Sequence, residues 1–159
     1  MIKILIDSGC DVEKDQAQAL GITVLPFAVR FGDEEYLDGF TLSHEQFFEK
    51  LIENADLPQT SQINEFTFAE KFEELTADGS EVVAITISSK LSGTYSSAVK
   101  AAKKFAGKVF VVDSLNACIG ERILLDYALR LVEKGELTAA QIAAELNDKK
   151  CKIQLLAVL

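Results

Sequence analysis

Three short runs, residues 2–6, 82–87 and 109–112, are almost entirely apolar and show no regular polar alternation. A strand with one face in water alternates apolar and polar side chains, so an unalternating run marks a strand covered on both faces. Segments of helical periodicity follow at 92–106, 119–132 and from Thr138 to about Leu146. Parallel strands cannot return through a tight turn and need crossover helices. The alternation from Val82 onward therefore predicts an α/β class, a mostly parallel sheet with helices on both faces.

The first half of the chain is more varied. Val12 to Leu20 reads as a short helix stopped by Gly21, and residues 22–27 form a second apolar run broken by Pro26. Val29 to Tyr36 alternates around Gly32-Asp33, the pattern of a hairpin. Ser43 with Gln46 makes a capping box for a helix carrying Phe47, Phe48, Leu51 and Ile52, which ends at Leu57-Pro58. A third helix carries Phe66, Phe68, Ala69, Phe72 and Leu75; the Thr60 and Ser61 hydroxyls just before it are a second candidate ligand element, with a cap on that helix as the alternative reading. The 159 residues suffice for one domain with a real core. The expected division is an α/β domain over 1–150. The apolar run at 153–159 has no polar tail, so 151–159 is read as the start of a truncated second domain.

A net charge of −9 repels a phosphate backbone, so no nucleic-acid partner is expected. No stretch approaches the roughly 20 apolar residues of a membrane-spanning helix. The N-terminus runs directly into a strand without a targeting pattern, and a cytoplasmic location is expected. Cys10, Cys118 and Cys151 lack C-x-x-C spacing, which argues against a disulfide framework or a zinc site, and no metal is expected. His44 is the single histidine and reads as a solvated helix residue.

Ligands of open parallel sheets bind beyond the carboxyl ends of the strands. There the sequence places Asp7-Ser8, Ser88-Ser89 and Asp113-Ser114. The richest stretch runs from Ser88 to Ser97. Gly93 would let a ligand approach the backbone, and Ser92 and Thr94 add hydroxyls to the free amides of a helix start. Ordinary helix capping favours the same residues and is the alternative reading of each cluster. Lys90 is the only nearby cation, and neither G-x-x-x-x-G-K-[ST] nor G-x-G-x-x-G occurs, so a singly charged carboxylate fits better than a nucleotide. Phe66, Phe68 and Phe72 could border an acyl slot, although plain core is the expected role. Asp7 and Asp113 are expected to cap the next helices rather than pair as acid and base. Cys10 lies near a helix start, where a thiol pKa can fall. It lacks a basic partner and is not expected to be catalytic.

Taken in order, these stretches resemble the DegV family: Asp7-Ser8, residues 21–26, Tyr36 with Asp38, Pro58-Gln59-Thr60-Ser61-Gln62, Ser88 to Tyr95, and Val112-Asp113-Ser114. The resemblance implies the first domain of a two-domain protein that binds a long-chain fatty acid and needs no other cofactor. It assigns the carboxylate to Thr60, Ser61, Ser92, Gly93 and Thr94, with Ser8, Phe27, Ser88 and Ser114 as acyl-pocket or accessory residues. It implies no catalytic residue in this chain. The partners are the second domain, which supplies basic groups, and an ATP-binding fatty-acid kinase subunit that phosphorylates the carboxylate. Residues 118–122 depart from the family's Gly- and Ser-rich pattern. The alternative is a small-ketone or small-acid subunit like that of dihydroxyacetone kinases, which hold substrate through a histidine. His44 is not at a strand end.

Overall fold

The computed structural model describes residues 1–156. Four strands, β1 (Ile2–Asp7), β2 (Thr23–Leu25), β6 (Glu81–Thr86) and β7 (Val109–Asp113), form one sheet in the order β2-β1-β6-β7. Every pairing in it is parallel. The unalternating runs thus became the buried strands they predict. Ile4 and Ile6 face a core built with α1 (Lys14–Leu20), α5 (Cys118–Lys134) and α6 (Ala139–Lys149). Leu5, Val82 and Ala84 face the opposite core, built with α3 (Glu65–Thr76) and α4 (Thr94–Ala102). Helices thus cover both faces of the sheet.

A second, antiparallel sheet has the order β4-β3-β5, with β3 (Ala28–Phe31), β4 (Glu34–Leu37) and β5 (Gln59–Ser61). The β3–β4 hairpin is the one predicted, turning at Gly32 with φ +59°. Helix α2 (His44–Glu53) begins at the predicted capping box, complete in both directions, and packs through Phe47 on Phe31.

Several boundaries moved. Thr60 and Ser61 do not cap α3. They lie in β5, paired with Val29 and Ala28, and Asn64 caps the helix by accepting the Thr67 amide at 2.9 Å. Helix α4 begins at Thr94 rather than Ser92, and its last turn, Lys103–Phe105, tightens to a 3-10 turn. Likewise a 3-10 turn, Ser8–Cys10, precedes α1. Of the expected final apolar run, 153–156 is irregular and 157–159 lies outside the described residues. Among the described residues no helix is long and apolar enough to cross a membrane.

Candidate functional site

Asp7 and Asp113 strap the strand ends together. Asp7 accepts the amides of Ile87 at 2.7 Å and Gly9 at 3.0 Å, while Asp113 accepts those of Ser89 and Leu115, both at 3.0 Å. Asp7 does cap the turn that follows it, as expected. Asp113 does not cap α5, whose N-cap is Ala117 with no side-chain bond. Burial pushes the Asp7 carboxyl up to about 7, against the lowering effect of its two amide donors.

The accessory serines are occupied by the same loops. Ser8 accepts the Phe27 amide at 3.0 Å, and Ser88 accepts the Lys90 amide at 3.2 Å. Ser114 both donates to the Asn116 carbonyl and accepts its amide. All three are buried. In the fold they shape the strand-end loops.

The Ser92 turn and the Thr60 strand meet. The Ile63 amide donates to Thr94 Oγ1 at 3.3 Å, and Gln62 Nε2 donates to Ser97 Oγ at 3.4 Å. Ser92 Oγ lies 2.9 Å from Thr94 Oγ1 and accepts the Thr94 amide at 3.2 Å, so Ser92 fastens the start of α4. Two segments some thirty residues apart thereby place Thr60, Ser61 and Ser92 in one region, with Thr60 and Ser61 exposed and Ser92 half-buried. Gly93 does not offer the open backbone its sequence suggests. A Cβ there would collide with Gln62 Oε1, because the Gln62 amide already rests on this glycine.

The phenylalanines divide. Phe68 and Phe72 are fully buried between α3 and the sheet, and Phe66 is exposed. The core reading therefore holds for two of the three. Cys10 is also fully buried, and burial together with Glu121 and Asp7 pushes its thiol up rather than down. Helix proximity is outweighed by the apolar, acidic surroundings.

One buried group escaped the sequence reading. Glu121 is wholly buried in the first turn of α5, and among the described residues neither carboxyl oxygen has a partner. Burial, then Asp7, Asp11 and Asp113, push it well above the ordinary carboxylate range. The signal was present: Leu124, Leu125, Ala128 and Leu131 mark the core stripe of α5, and Glu121 sits three and four residues before its first members.

An open cleft of about 360 Å³ lies beside Ser8, Val24, Phe40 and His44. Asp11, Glu13, Asp15, Asp38 and Glu45 also line it, against Lys14 and the first turn of α2. That acidic wall disfavours an anion, whereas the hydroxyls of the Ser92 turn carry no charge.

The family model described as "Uncharacterised protein, DegV family" matches residues 1–159. A DegV domain-containing protein of Clostridium perfringens is 37% identical over 154 residues, which cover 96% of this chain and 55% of the relative. A fatty-acid-binding DegV family protein from Thermus thermophilus superposes with a TM-score of 0.84 at 34% identity, covering 94% of this chain and 53% of that one. DegV, a fatty acid binding protein from Bacillus subtilis, gives 0.85 at 28% identity, covering 94% and 54%. The chain spans about half the length of the curated relatives it matches. With a family match over its whole length and the parallel sheet and strand-end loops in place, the chain belongs to the DegV family.

Proposed function

We propose that this chain supplies one wall of a fatty-acid site, with the acyl carboxylate held by Ser92 and by the exposed Thr60 and Ser61 hydroxyls. The observation that carries the reading is the Ser92–Thr94 hydroxyl pair at the start of α4, brought against the end of β5 by the Ile63 and Gln62 bonds. Neutral donors at a helix start suit a singly charged anion. The fatty-acid-binding proteins of Thermus thermophilus and Bacillus subtilis, similar over nearly all of this chain, support the choice of ligand. The remaining half of such a protein would complete the site and contribute its basic groups.

The finer reading is that the bound carboxylate is presented to a separate ATP-binding kinase subunit. Phosphoryl transfer needs positioned cations around the phosphates. The Ser92 turn offers hydroxyls and amides, so this chain's part is to position the carboxylate and shield the tail. Negative-ion mass spectrometry of an organic extract of the intact protein tests the first step. Near-stoichiometric fatty acid is expected; a protein purified gently and found empty would sink the lipid reading. Transfer of labelled phosphate from ATP to the extracted acid, only when a kinase subunit is added, tests the second.

A further inference from the structure

Thr94 is wholly buried, and its single hydroxyl proton must find an acceptor. Its oxygen already accepts the Ile63 amide, and among the described residues the one other polar atom bonded to it is Ser92 Oγ at 2.9 Å. The Thr94 proton therefore points to Ser92. Ser92 Oγ also accepts the Thr94 amide at 3.2 Å. A hydroxyl oxygen has two lone pairs, and both are then taken. Half-buried Ser92 can meet a ligand only by donating its own proton.

We infer that Thr94 is a positioning residue, not a ligand contact: it makes Ser92 an obligate donor and so selects ligand head groups that accept hydrogen bonds. The inference rests on the fatty-acid reading for the ligand but not for the hydroxyl geometry. It follows that Thr94, which touches no ligand, raises the affinity for a carboxylate, which can only accept, more than that for a primary alcohol, which can accept or donate.

The test uses the intact protein with oleate and oleyl alcohol as probes, in wild type, Thr94→Val, Thr94→Ser, Ser92→Ala and the Ser92→Ala/Thr94→Val double variant. Thr94→Val frees a lone pair on Ser92 while keeping the side-chain shape. Oleate affinity should fall by about tenfold, the scale of one disordered hydrogen bond to a charged group. Oleyl alcohol affinity should stay within about twofold, so the preference for oleate shrinks. Thr94→Ser should restore it. In the Ser92→Ala background the valine should cost less than it does alone and should cost both probes alike, because only the lost bond to the Ile63 amide remains. An equal loss in that background, or equal losses for both probes when Ser92 is present, overturns the inference.

A ligand-free readout separates this failure from failure of the lipid reading. The Hα–Hβ couplings of Ser92 should report one rotamer in wild type and Thr94→Ser, and an average in Thr94→Val. If wild type binds neither probe, an averaged Ser92 in the valine variant still supports the inference, and a fixed one overturns it. Should the valine variant fail to fold, Thr94→Ala carries the same measurements.

Discussion

The Asp7 carboxylate, at the end of β1, reaches over the sheet to accept the amide of Ile87 at 2.7 Å, just beyond the end of β6. With its second bond to Gly9 it fixes two neighbouring loops with one side chain. Asp7→Ala leaves both amides without that acceptor. The expected loss is about 1 kcal/mol of stability, the scale of part-buried donors left without their acceptor. Urea unfolding measures it, and hydrogen exchange at Ile87 should accelerate by more than exchange in mid-strand.

The same region gives the fold a pH dependence of unusual sign. Unfolded, Asp7 ionises near 4, whereas in the fold it holds its proton to about 7. Its raised value contributes stability that is complete below about pH 4 and is lost as pH rises through about 7. Glu121 is shifted in the same direction by burial and by Asp7, Asp11 and Asp113. Glu121→Leu removes an unpartnered carboxyl from an apolar stripe at similar volume. It should raise stability by about 1–3 kcal/mol at neutral pH, and by less near pH 4. A gap between variant and wild type that stays constant over that range in chemical denaturation would mean that Glu121 does not titrate in the fold as described.

Gly93→Ala tests the contact with Gln62. The added Cβ meets the far end of an exposed side chain, at a backbone φ of −74° that alanine accepts. Gln62 should swing away and release Ser97, with a stability change under about 1 kcal/mol. Adding Gln62→Ala should erase even that. A large loss in the double variant would show that the glycine is needed for some other reason, and thermal unfolding of both variants decides.

The three thiols should label in order. Cys151 and Cys118 are exposed and Cys10 is buried. Partial desolvation at the start of α5 and the nearby Asp11 push the Cys118 thiol up to about 11, which lowers its thiolate fraction at neutral pH. Iodoacetamide followed by peptide mass spectrometry should find Cys151 first, Cys118 more slowly, and Cys10 only on unfolding. Early modification of Cys10 in the native state would contradict the packing around the Ser8–Cys10 turn.

The main sheet, the β3–β4 hairpin and the two capping boxes were legible because each signal is short-range. An unalternating run such as residues 2–6 declares burial on both faces, and Ser43 with Gln46 or Thr138 with Gln141 closes a helix start within four residues. Resemblance to a known family added the grouping of Thr60, Ser61 and Ser92. Tertiary structure alone decided what those residues do locally. Thr60 and Ser61 became strand because β3 arrives to pair with them, a contact that no local rule encodes. Thr94 went inside because the Ile63 amide, 31 positions away in the chain, comes to its hydroxyl. Gly93 was covered because Gln62 lies on it. The direction of a hydroxyl proton depends on which donors and acceptors distant segments bring within 3.5 Å, and only the packed fold sets that.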